Sequence, residues 1–72
     1  MTDHLTTLID QLPRRLTERE LARHWRISQR TLQRWREAGT GPSWFRIGGR
    51  VLYGRDEVRA FENANRFPGA AT

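Results

Sequence analysis

Gln29, Arg30, Gln33 and Arg34 fall on one arc of a helical projection, and their side chains have the chemistry to read base-pair edges. An arginine fork matches guanine O6 and N7, and a glutamine amide matches adenine N6 and N7. Arg19, Arg23, Arg36, Arg46 and Arg50, with the hydroxyls of Thr17 and Ser28, make up a set suited to phosphates. Between Glu20 and Glu37 stand Arg23, Arg26, Arg30, Arg34 and Arg36 and no acid. A helix that is merely solvated usually alternates charge signs to gain pairs four residues apart. One-sign loading therefore favours a polyanionic partner over a bare solvated face.

These side chains need a frame, and residues 17–39 supply one. Thr17 and Glu20 have capping-box spacing, so a helix is expected from about Glu18. Leu16 and Leu21 stand in the relation of a hydrophobic staple, and Leu21, Ala22 and Trp25 continue an apolar face. The pattern repeats at Ser28, a second cap flanked by Ile27 and Leu32, with Trp35 three residues further and Gly39 at the stop. Ser28, Thr31, Leu32, Trp35 and Ala38 make the inward arc, opposite Gln29, Arg30, Gln33 and Glu37. Arg34 and Arg36 flank the outer arc. Two capped helices joined by a tight turn form a helix-turn-helix, whose second helix reads bases from its N-terminal half. His24, four residues after Glu20, is expected to pair with it on an exposed face.

After the connector Thr40-Gly41-Pro42, the stretch SWFRIGGRVLY predicts a β-hairpin turning at Gly48-Gly49. A two-residue turn would pair Ile47 with Arg50 and Phe45 with Leu52, mixing both faces. A three-residue loop, Gly48-Gly49-Arg50, pairs Ile47 with Val51 and Phe45 with Tyr53. The second arrangement is expected, because it gives an apolar inner face and leaves Trp44, Arg46 and Leu52 outward with Arg50 at the tip. A hairpin of this kind after a recognition helix is a wing, whose Arg46 and Arg50 reach a phosphate or the minor groove, or else face solvent. Trp44 and Leu52 either tuck into the core under the N-terminal segment, which is expected, or form a patch for a neighbouring subunit. A third helix is capped at Gly54, carries Asp56 and Glu57 in its first turn, buries Val58 and Phe61, and ends at Asn63 or Asn65.

The chain divides into a leader over residues 1–13, a DNA-binding domain over 14–66 and a disordered tail over 67–72. In the leader Leu5, Leu8, Ile9 and Leu12 have amphipathic helical spacing, ended by Pro13. That segment packs on the core, remains a disordered leader or makes a dimer contact. Arg14 and Arg15 touch a phosphate or face water. The formal charge is +5 and all 13 basic residues are arginine, which suits phosphate binding or echoes a GC-rich genome. Residues 1–13 carry Asp3 and Asp10 and no base, so the positive field belongs to the remainder. With 36% hydrophobic residues in 72, the domain has a small core.

The absence of cysteine excludes disulfides and thiolate metal sites. His4 and His24 have no metal or catalytic spacing, Asp56 and Glu57 belong to a helix start, and the glycines match no phosphate loop. No enzyme, metal or cofactor is expected. With no long apolar run, the chain is expected in the cytoplasm and not in a membrane.

Leu16-Thr17, Arg30-Thr31-Leu32, Arg34-Trp35, Gly39, Pro42, Gly48-Gly49 and Tyr53 give an order that resembles the MerR-like winged-helix proteins of the small phage excisionase and AlpA regulator type. The similarity spans about residues 16–66. It implies a mainly α fold with a small β-hairpin, a MerR-like winged helix-turn-helix in a single small domain. Trp25 departs from it, standing where that pattern more often has a smaller aliphatic residue, and the leader is not part of it. No long helix for a coiled coil follows Phe61, so the effector-sensing dimeric MerR regulators match poorly, and no small-molecule effector is expected. The resemblance implies an excisionase, a recombination directionality factor. Its partners would be double-stranded DNA, other copies of the chain side by side, and an integrase. A transcriptional regulator of AlpA or MerR-like type is the alternative, and a module that binds an acidic protein partner is the rival from another class.

Overall fold

The computed structural model describes residues 12–69. Its elements in chain order are β1 (Arg15–Thr17), α1 (Glu18–Trp25), α2 (Gln29–Ala38), β2 (Phe45–Ile47), β3 (Arg50–Gly54) and α3 (Arg55–Ala64). The three strands form an antiparallel sheet in the order β1-β3-β2. Three helices and this sheet make a winged helix-turn-helix.

Both predicted caps form. The Thr17 hydroxyl accepts the Glu20 N–H at 3.1 Å while the Glu20 carboxylate accepts the Thr17 N–H at 2.8 Å, and Ser28 accepts the Thr31 N–H at 3.1 Å. Each cap satisfies amide groups that the first helical turn leaves without a partner. Leu16, Leu21, Ala22, Leu32, Tyr53 and Val58 form the buried core, with Leu12, Trp25, Ile27, Trp35 and Val51 packed against it. Both staple pairs therefore close onto one apolar centre. α3 begins after Gly54 and ends at Asn65, whose side-chain amide donates to the Phe61 carbonyl at 2.9 Å.

The strand β1 is not anticipated by the sequence, because three residues are too few to show an alternating pattern. It pairs Leu16 with Tyr53, and this corrects the expected hairpin. The turn has two residues, with Ile47 opposite Arg50, Arg46 opposite Val51 and Phe45 opposite Leu52. Gly48 and Gly49 have φ of 57° and 78°, the positive pair that a type I′ turn requires. The expectation failed because it asked β2 to cover Tyr53, whereas β1 does so. Leu16, Val51 and Tyr53 point toward the core, and Phe45, Ile47 and Leu52 lie on the opposite face, with Phe45 and Ile47 exposed. Arg50 is the first residue of β3, beside Ile47, and not the tip of the turn.

Leucines 5 and 8, Ile9 and the leader helix they predict lie outside the described residues. Leu12 is half-buried against the core, and its carbonyl accepts from Arg55 Nη1 at 3.1 Å. The Arg14 carbonyl accepts the Arg55 N–H at 2.8 Å, so the entry to β1 is tied to the first residue of α3.

The small aliphatic core is extended by aromatic rings. Trp25, Trp35 and Phe61, one from each helix, lie with centroids 5.4–6.4 Å apart in tilted contacts. Glu62 caps this cluster, accepting the Trp25 indole N–H at 2.6 Å and lying 3.3 Å from His24 Nε2. The expected pairing of His24 with Glu20 is thereby corrected. Glu20 is held in its capping box, and His24 points across to α3. Gly41, at φ 83°, passes so close to Trp35 that a Cβ there would meet the indole side chain at 3.0 Å. Trp35 is thus enclosed by both other helices and by the loop. Trp35→Ala should destabilise the domain by about 3–5 kcal/mol, read from urea or thermal unfolding.

Candidate nucleic-acid interface

The turn between α1 and α2 is Arg26-Ile27-Ser28, and Arg26 adopts φ 57° to close it. A left-handed arginine costs roughly 1–2 kcal/mol, offset here by the Arg26 N–H bonded back to the last turn of α1 and by Ile27 packed on the core. This turn sets the direction of α2, which buries Leu32 and half-buries Thr31, Trp35 and Arg36. Gln29, Arg30, Gln33, Arg34 and Glu37 remain exposed on the opposite arc. The four candidate base readers thus share one solvent-facing surface. Ala38, placed inward by the projection, is exposed at the helix end.

The candidate phosphate residues divide into two groups. Arg19 and Arg23 are exposed on α1, and Arg50 is exposed on the wing. Thr17 and Ser28 have their hydroxyls committed to caps. Arg36 is drawn inward. Its guanidinium pairs with the Glu18 carboxylate, donates to the Tyr53 hydroxyl at 3.2 Å, and lies over the Trp44 ring at 5.6 Å. The side chains of Arg36 and Glu18 are only 16% and 14% exposed, so the arginine flanks the core and not the solvent arc.

Arg46 stacks over the same Trp44 ring, also at 5.6 Å. A single indole therefore carries one guanidinium from α2 and one from β2, which fixes the wing beside the end of α2. Trp44 is 38% exposed; it neither enters the core nor stands as a bare patch. Leu52, expected outward with Trp44, is half-buried. Arg15 lies 5.6 Å over Phe45 on the outer face of the sheet.

Glu18 touches two of the candidate residues, and nothing in the sequence points to it. One carboxylate oxygen meets Arg36, and the other accepts from Gln33 Nε2 at 3.1 Å. In the chain it is only the first residue of a capped helix, and its partners lie 15 and 18 positions away. Tyr53 carried a readable signal: a buried tyrosine ordinarily needs a partner for its hydroxyl. Among the described residues no three potential metal ligands converge, and no helix is long and apolar enough to cross a membrane.

A family model described as a helix-turn-helix domain matches residues 15–66. No curated protein matches the chain. The match begins with β1 and reaches past the end of α3, so it takes in both helices of the helix-turn-helix, the wing and the elements that hold them.

Arg36→Ala should act mainly on the fold, because it strands the Glu18 carboxylate and the Tyr53 hydroxyl. A loss of about 1–3 kcal/mol in unfolding free energy is expected, measured by urea titration.

Proposed function

The chain belongs to the helix-turn-helix domain family and binds double-stranded DNA, and from that premise we propose that it is an excisionase of the MerR-like winged type, a recombination directionality factor. α2 enters the major groove, where Gln29, Arg30, Gln33 and Arg34 face base edges. Arg50 reaches a phosphate or the minor groove from the wing, and Arg19 and Arg23 meet the backbone from α1. The observation that carries this reading is the exposed arc of α2 standing beside a wing whose position is fixed through Trp44.

Copies bind side by side on repeated sites and bend the DNA so that an integrase can assemble on it. Smooth bending of 20–30 bp by 40–90° costs of order 1–6 kcal/mol, offset by extra phosphate contacts and contacts between copies. The resemblance to the excisionase and AlpA type supports this role, as does the one-signed arginine loading of the helix-turn-helix. An AlpA-type regulator would use the same surface on an operator without bending.

A gel-shift titration against the DNA flanking the gene, at two salt concentrations and with circularly permuted probes, separates these functions. Excision predicts a ladder of bands whose mobility depends on the position of the site. A single unbent band would mark an operator-binding regulator, and no shift would reject both. About six phosphate contacts predict a log–log salt slope near −5. Arg30→Ala should relax discrimination at one base pair by about 1–3 kcal/mol, whereas Arg50→Ala should weaken binding to all sequences alike. Unchanged discrimination in Arg30→Ala would remove α2 as the base reader.

A further inference from the structure

Resting on the assignment of α2 as the base reader, we propose that Glu18 is a positioning residue that fixes which way round Gln33 presents its amide, and so selects adenine over guanine at the base pair Gln33 meets. A carboxylate only accepts hydrogen bonds, so the Gln33 group 3.1 Å from Glu18 Oε1 has to be the amide nitrogen and not the amide oxygen. The nitrogen gives one hydrogen to Glu18 and keeps one. Gln33 therefore offers DNA one acceptor oxygen and one donor hydrogen side by side.

That pair complements the N6 donor and N7 acceptor of adenine. Guanine offers two acceptors, O6 and N7, in the same places. Against guanine the held amide would set its oxygen toward O6, and reversing the amide would set that oxygen against both N7 and the Glu18 carboxylate. The contact thus excludes the wrong base by repulsion as well as favouring the right one.

The lock is only as good as the hold on Glu18, and that hold is firm. Its second oxygen pairs with Arg36, which is itself fixed by the Tyr53 hydroxyl and the Trp44 ring. Glu18 also sits in the first turn of α1, where the helix dipole favours its charge. Gln33, in contrast, is exposed on α2, and among the described residues its side chain bonds only to Glu18. Glu18 never touches DNA in this arrangement. Its effect passes through Gln33.

Glu18→Gln tests this with little change of shape, because a second amide can accept from Gln33 or donate to it and so permits both orientations. Sites are first selected from a pool of randomised double-stranded DNA. Binding is then measured to the selected site with each base pair replaced in turn, for the wild type, Gln33→Ala, Glu18→Gln and the double variant. Gln33→Ala should erase the adenine preference at one base pair. Glu18→Gln should reduce that same preference by about tenfold while leaving the others intact. The double variant should match Gln33→Ala alone.

Glu18→Asp, which keeps a charge near Arg36 but draws it back from Gln33, should lose the same preference and provides the measurement if Glu18→Gln fails to fold by circular dichroism. A preference kept in both Glu18 variants, or lost equally at every base pair, would overturn the proposal while leaving α2 as the reader. If Gln33→Ala altered no base preference, the role of Gln33 as a reader would fall with it.

Discussion

The pairing of Glu18 with Arg36 is the contact on which the working surface depends. Both charges are largely withdrawn from water, a costly arrangement unless every polar group around them is used. Here Glu18 divides its oxygens between Arg36 and Gln33, and Arg36 adds the Tyr53 hydroxyl and the face of Trp44. One ion pair thereby joins the start of α1, the end of α2, the middle of β3 and the root of the wing. Both helix dipoles favour it, since Glu18 lies in a first turn and Arg36 in a last one. A hydrophobic pair of similar volume could pack the same gap, but it could not orient a glutamine on the outer arc.

A second polar group organises the far side of the domain. Six buried core residues among those described are few for a fold that has to hold a helix rigidly against DNA. The aromatic trio enlarges that core with one ring from each helix, and the Glu62 carboxylate ties the rim of α1 to α3 through Trp25 and His24. Trp25 packs against Trp35 and Phe61 in tilted ring contacts. The helix-turn-helix is therefore backed by α3 through these rings and by the sheet, whose Leu16 and Tyr53 lie in the core.

How much of this was legible in the chain follows from the range of each interaction. Caps, staples and helix faces are set by residues three to five apart, and α1, α2 and α3 fall where their patterns place them. The solvent arc of Gln29, Arg30, Gln33 and Arg34 was readable for the same reason. The hairpin register was not, because its inner face is completed by Leu16, 37 positions before Tyr53. The Gly48-Gly49 dipeptide favours the two-residue turn, whereas a hairpin of two strands alone would favour the longer loop that gathers its apolar side chains on one face. Arg36 was misplaced on the flank of the outer arc because its partners Glu18, Tyr53 and Trp44 belong to three other segments.

The exclusive use of arginine gains a structural reason from these contacts. Arg36 bonds a carboxylate and a phenol while lying on an indole, Arg46 shares that indole, Arg15 lies on Phe45, and Arg55 bonds the Leu12 carbonyl. Stacking and forked donation from one planar group are open to guanidinium and closed to an ammonium. At least these four arginines hold the scaffold together, so composition alone overstates how much positive charge is free to meet phosphate. Arg30 and Arg34 on α2, Arg19 and Arg23 on α1, and Arg50 on the wing are exposed and have no scaffold contact of that kind among the described residues. Net charge draws DNA to the domain from a distance, but an arginine held in a scaffold contact is less able to turn toward a phosphate. The same residue type thus serves both the scaffold and the surface.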